Sequence, residues 1–188
     1  MPPYPLQTPR LLLVEPGADD APRLLSYAVE NREALAPWEM IRSDRYFTLP
    51  HWSELISAMR DQIQAGTRAH FLLLDKSAPT GPLIGQCALT DIVRGPFQAA
   101  YLGYSLDRKA YGQGFMNEAL SAVIEYAFDE LRLHRIMANY MPANVRSCRV
   151  LRRLGFAVEG YARDYLKIAG RWEDHILTAL MNPSPDCD

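Results

Sequence analysis

The sequence predicts a single α/β domain with a mixed central sheet of about seven strands flanked by about four helices. Two observations carry this. Strand-length apolar runs recur from Arg10 to Leu180, and the intervening stretches that follow Thr48 and Gly114 repeat apolar residues at the i, i+3, i+4 spacing of a buried helix face. The resulting order is strand, two helices, three strands, helix, strand, helix, two strands, which describes one α/β unit with a mixed sheet. No internal repeat, low-complexity tract or second core interrupts it, so residues 8–181 form one domain, with 1–7 and 182–188 as short tails.

Arg10 to Glu15 reads as the first strand, stopped by Pro16-Gly17. Asp19 or Asp20 then caps a helix to about Asn31, with Pro22 tolerated in its first turn. A connection holding Pro37, Trp38 and Glu39 leads to a second helix, roughly 51–64, where Trp52, Leu55, Ile56, Met59 and Ile63 share a face. Ala69 to Asp75 and Leu83 to Val93 are strands around a turn, and Gly95-Pro96 precedes the strand 101–106. The main helix follows, with Met116, Ala119, Leu120, Val123, Ile124, Ala127 and Phe128 as its apolar stripe. Strand 135–141, a short helix 143–154, strand 156–167, a turn at Gly170 and strand 172–180 complete the chain, whose tail is polar and loose.

A chain of 188 residues suits one core. A net charge of −2 lacks the basic balance of a nucleic-acid binder. No apolar run approaches the ~18 residues that span a membrane, and the first ten residues do not read as a signal peptide. Cys87, Cys148 and Cys187 have no C-x-x-C spacing, which points to a reduced, cytoplasmic protein. The four histidines are scattered, so no metal site is expected.

The stretch between strand 101–106 and the main helix carries the chemistry. It reads Lys109-x-x-Gly112-Gln113-Gly114, and the helix begins at once with Phe115 and Met116. The first turn of a helix exposes unpaired N–H groups and partial positive charge, while glycine lets an anion approach the backbone closely. Two familiar phosphate loops are excluded, because no G-x-x-x-x-G-K-[ST] occurs and Asn117 stands where a G-x-G-x-x-G would need its third glycine. By itself the motif fits equally a strand-to-helix turn whose glycines only satisfy backbone geometry.

In its strand–turn–helix setting this pattern resembles the acetyl-CoA loop of the GCN5-related N-acetyltransferases, usually [QR]-x-x-G-x-[GA], with Lys109 replacing the usual first residue. Asn144-x-x-Ser147, the helix closing at Leu154-Gly155-Phe156, and Glu159-Gly160 are similar to the same superfamily. The longer runs VRGPFQAAYLGYSL, LHRIMANYMPANVRS and DHILTAL resemble its RimJ/RimL branch, which acetylates ribosomal-protein N-termini, over roughly Thr8 to Leu180. The resemblance implies acetyl-CoA as cosubstrate and the N-terminal alanine of a small-subunit ribosomal protein, of the S5 type, as acceptor.

It also implies roles for individual residues. Lys109, Tyr111, Gly112, Gln113, Gly114, Phe115 and Met116 seat the pyrophosphate, the backbone near Leu106 runs beside the pantetheine arm, and Asn144 bonds its amides. Glu159 takes the proton of the attacking amine and Ser147 returns one to the thiolate, with Tyr104, Tyr140 and Tyr161 as other donors. Trp38 and Glu39 form the acceptor wall together with Tyr104, Glu39 drawing in a protonated N-terminus. Chemistry supports the economy of this set: an α-amine has a reference pKa near ~8, against ~10.4 for lysine, so one carboxylate suffices. Arg146, Arg149, Arg152 and Arg153 make a basic cluster that reads as a solvated face or a contact to cofactor phosphates or the ribosome. An acceptor that is a small amine or a lysine side chain stays open, as does a non-catalytic acetyl-CoA sensor. Monomer and homodimer are both compatible.

Overall fold

The computed structural model describes residues 5–183. Its strands are β1 (Leu6–Gln7), β2 (Leu11–Val14), β3 (Ala69–Asp75), β4 (Gly85–Val93), β5 (Ala99–Leu106), β6 (Arg135–Met137), β7 (Ala157–Ile168) and β8 (Arg171–Met181). Its α-helices are α1 (Ala21–Glu30), α2 (Arg32–Leu35), α3 (Leu49–Gln64), α4 (Phe115–Asp129) and α5 (Val145–Arg153). The strands form one sheet in the order β1-β2-β3-β4-β5-β6-β8-β7. β5 and β6 are parallel, and the other neighbours are antiparallel.

The expected mixed α/β sheet is therefore present, with two small elements added. Leu6–Gln7 pairs with Leu12 and Leu13, so the chain joins the sheet ahead of residue 8. The four-residue α2 follows α1 directly. The strand expected over 135–141 stops at Met137, beyond which the backbone N–H groups of Ala138 and Tyr140 donate to the Thr178 and Ile176 carbonyls of β8. At the C-terminus, Asn182 is held by the carbonyls of His134 and Leu133, so the expected looseness does not begin there. Residues 184–188, with Cys187, lie outside the described residues, as do 1–4.

The sheet is covered on both faces, which explains why β3 is a continuous apolar run rather than an alternating one. Phe71 and Leu73 pack with Leu11, Leu13 and the α4 stripe, while Leu72 and Leu74 face Leu24 of α1 and Trp52 and Ile56 of α3. Each fully buried leucine contributes about 2 kcal/mol of transfer free energy. α5 is anchored by Leu151, and its end is closed by the Phe156 N–H donating to the Leu151 carbonyl, with Gly155 at φ +87° as the left-handed stop. Among the described residues no helix is long and apolar enough to cross a membrane.

Candidate active site

β5 and β6 run side by side from Ala99 opposite Arg135 to Tyr101 opposite Met137, and then separate. β5 continues to Leu106, whereas Tyr140 exchanges both backbone hydrogen bonds with Ile176 of β8. A cleft of about 380 Å³ opens along the freed edge of β5, lined on its strand side by Tyr104, Ser105 and Leu106. An extended ligand laid there finds main-chain groups to bond, as a strand would.

Gly112 and Gly114 both line this cleft, with φ of +76° and +82°. Gly114 is the N-cap of α4, so the left-handed backbone that side chains resist turns the chain directly into the helix's first turn. Tyr111 and Met116 line the cleft as well. The side chains of Lys109, Gln113 and Phe115 do not. Lys109 Nζ pairs with Glu30 (2.9 Å), Gln113 Nε2 donates to the Lys109 carbonyl (2.9 Å), and the Phe115 ring lies 4.2 Å below the Arg10 guanidinium. Their part in an anion seat is limited to the backbone. Arg10 is the residue that sequence reading missed. It donates to the Gln113 carbonyl (3.0 Å) and, through Nε, to Glu118 (2.6 Å), which also accepts from Thr8 (2.6 Å). The residues just ahead of β2 thus brace the loop, across 103 residues of sequence in which no local signal announces it.

The opposite wall is α5. Asn144 caps it, its Oδ1 accepting from the Ser147 N–H (3.1 Å), and both residues line the cleft. Of the expected basic cluster, Arg146, Arg149 and Arg153 line the cleft and Arg152 does not, the i, i+3, i+7 set lying on one helix face. Arg146 sits 4.4 Å over the Tyr111 ring. Tyr104 reaches across from β5 to put its hydroxyl 2.6 Å from Ser147 Oγ. Burial pushes the Tyr104 phenol up to about 12, so it is protonated throughout the neutral range.

At the other end stand Trp38 and Glu39. Glu39 pairs with Arg42 (3.0 Å) and also lines a second cavity of about 260 Å³, which adjoins the first through Leu35 and Glu39. Among the described residues it is the one carboxylate lining either. The turn after β7 closes this region, the Ala169 N–H donating to the Glu39 carbonyl (2.8 Å).

Glu159, expected to take the amine's proton, lies apart from the cleft lining. It falls in a β-bulge, Val158 opposite Thr178 and Gly160 opposite Leu177, with its own side chain exposed and ion-paired to Arg135. Arg135 sits opposite Ala99, seven residues before Leu106, roughly 20 Å away along an extended strand. The carboxylate is drawn toward the far end of β5 and does not line the cleft. Tyr140, whose hydroxyl donates to Cys148 Sγ (3.3 Å), and Tyr161, bonded to Asp174, do not line it either.

The sequence and the overall fold are matched in known proteins. The acetyltransferase (GNAT) domain matches residues 10–157. The chain belongs to the GNAT acetyltransferase family. It is 44% identical over 178 residues to the [ribosomal protein uS5]-alanine N-acetyltransferase of Escherichia coli strain K12, covering 95% of this chain and 91% of that one. The structure of the ribosomal-protein-S5-alanine acetyltransferase from Vibrio fischeri superimposes with a TM-score of 0.91 at 36% identity, covering 96% of this chain and 98% of its own. Mycobacterium smegmatis RimJ in complex with CoA-disulfide gives 0.86 at 27%, covering 94% and 85%.

The GNAT loop makes a direct prediction. Gly114→Ala places a Cβ at a φ that costs about 1–2 kcal/mol for an L-residue. In a chain of this length that is a fall of about 3–6 °C in Tm, read by thermal unfolding. An unchanged Tm would show that the loop relaxes to another conformation.

Proposed function

We propose that the protein transfers the acetyl group of acetyl-CoA to the N-terminal alanine of a ribosomal protein of the S5 type, by direct attack in a ternary complex. The observation that carries this reading is the 44% identity, spread over nearly the full length of both chains, to an enzyme of that activity. The cleft supports it physically. Open backbone at the start of α4 and three guanidinium groups on α5 suit the phosphates of a coenzyme A, and the unpaired edge of β5 suits its amide-bearing arm.

Acetyl-CoA supplies a thioester carbonyl for an amine to attack. Glu39, where the two cavities meet, attracts the acceptor's α-ammonium and takes its proton. The Ser147–Tyr104 pair faces the departing sulfur. A thiol has a reference pKa near ~8.5, about 3 units below Tyr104, so complete proton transfer to a thiolate would be uphill by about 4–5 kcal/mol. The pair therefore acts by donating a hydrogen bond to the developing charge, with the final proton coming from solvent. Tyr104→Phe leaves Ser147 its own hydroxyl and removes the polarisation, for an expected loss of about 10-fold in kcat with little change in KM, measured by steady-state kinetics.

The reading is tested by mass spectrometry of acetyl-CoA reactions with a peptide beginning in alanine and with the same sequence bearing a blocked N-terminus and an internal lysine. One acetyl group gained on the free N-terminus alone is the expected result. Acetylation of the blocked peptide would reassign the enzyme to side-chain amines, and tight cofactor binding with no transfer to either would reassign it as a sensor.

A further inference from the structure

Gln86 of β4 stands in the wall of the second cavity, and its amide is oriented by a part-buried chain of fixed polarity centred on the buried His70. Arg68, just ahead of β3, carries only donors, and its Nη2 lies 3.3 Å from His70 Nδ1, which must therefore accept. A neutral imidazole with an accepting Nδ1 carries its proton on Nε2, and His70 Nε2 lies 3.1 Å from Gln86 Oε1. His70 is 4% exposed, and burial, with Arg68 beside it, holds its pKa down to about 4, so this tautomer persists at neutral pH. The Gln86 carbonyl oxygen is thereby engaged, and the amide left to the cavity is a pair of N–H donors.

Glu39 lines both cavities and Gln86 only the second, so an amine at their junction has a hydrogen-bond donor beside it on the acceptor side. An α-amine of a peptide carries a carbonyl oxygen on the second carbon from its nitrogen, whereas a lysine side-chain amine or a polyamine has none nearby. We infer that Gln86 is a specificity-determining residue whose amide donates to the first carbonyl of the acceptor, so that the site selects peptide N-termini over amines that lack that carbonyl. The inference rests on the acetyl-transfer reading above and names what that site recognises.

The test compares wild type, Gln86→Leu and Gln86→Glu on an alanine-starting peptide and on the same peptide with its first amide replaced by a trans-alkene, which keeps the shape and the free amine but removes the carbonyl oxygen. On the normal peptide both variants are expected to raise KM roughly 3- to 12-fold, the range of one neutral hydrogen bond, with acetyl-CoA affinity unchanged. On the alkene peptide Gln86→Leu and wild type should agree within two-fold. Equal losses for Gln86→Leu on both peptides, or a loss on neither, overturn the inference while leaving acetyl transfer intact. A wild-type enzyme that acetylates neither peptide overturns both together.

Discussion

Glu39→Gln is expected to lower kcat for an alanine-starting peptide by roughly 100-fold at pH 7, while Glu159→Gln stays within about 2-fold. General-base catalysis contributes roughly 10²- to 10⁴-fold, and an α-amine of reference pKa near ~8 already supplies about a tenth of its population neutral at pH 7, which favours the lower end of that range. Glu39 is the carboxylate at the junction of the two cavities; Glu159 is tied to Arg135 beyond their walls. The sign with pH follows from the same argument. As pH rises through 8 the amine loses its proton unaided, so the Glu39→Gln defect should shrink by about 10-fold between pH 7 and pH 9. A pH–rate profile of both variants is the check. If Glu159→Gln proves the slower enzyme, Glu39 is not the base.

A second large effect concerns acid stability. His70 has a folded-state pKa of about 4 because burial, foremost, and the Arg68 charge both oppose its protonation. In the unfolded chain it titrates near ~6.5. Above pH 6.5 neither state carries the proton and stability is at its full value. Between 6.5 and 4 the unfolded chain binds it and the folded protein does not, so stability falls as the pH is lowered, by about 3 kcal/mol over that window. Glu118, held below the usual carboxylate range by its bonds from Thr8 and Arg10 against the opposing effect of burial, contributes in the same direction at lower pH. Urea unfolding between pH 4.5 and 7 should show this slope in wild type and a flatter one in His70→Gln. Parallel slopes would mean that His70 is protonated in the fold, and the tautomer that orients Gln86 would be lost with it.

Several features were legible in the chain because they are local. Gly112 and Gly114 sit at left-handed positions that only a glycine adopts cheaply, Asn144 caps the helix it precedes, and the α4 stripe from Met116 to Phe128 announces the face it buries. Each depends on neighbours within a turn or two, so spacing suffices to read it. Trp38, Glu39, Tyr104 and Ser147, which the family resemblance named, all line the cleft.

What spacing could not supply are the pairings made across the sheet. A single extra residue at the bulge between Val158 and Gly160 decides that Glu159 meets Arg135, and strand register decides which side chains share a face. The Arg10 brace, the Tyr104–Ser147 contact and the Arg68–His70–Gln86 chain each join residues on separate elements, brought together by how β2, β3, β4 and α5 align. Local spacing was enough for the order of the longer elements, the glycine-opened helix start and the family, and it left out the two-residue β1 and the four-residue α2. That Glu159 lies off the cleft and that the Gln86 amide meets His70 came from the folded sheet alone, because side-chain direction in a strand alternates with every residue and long-range register sets the count.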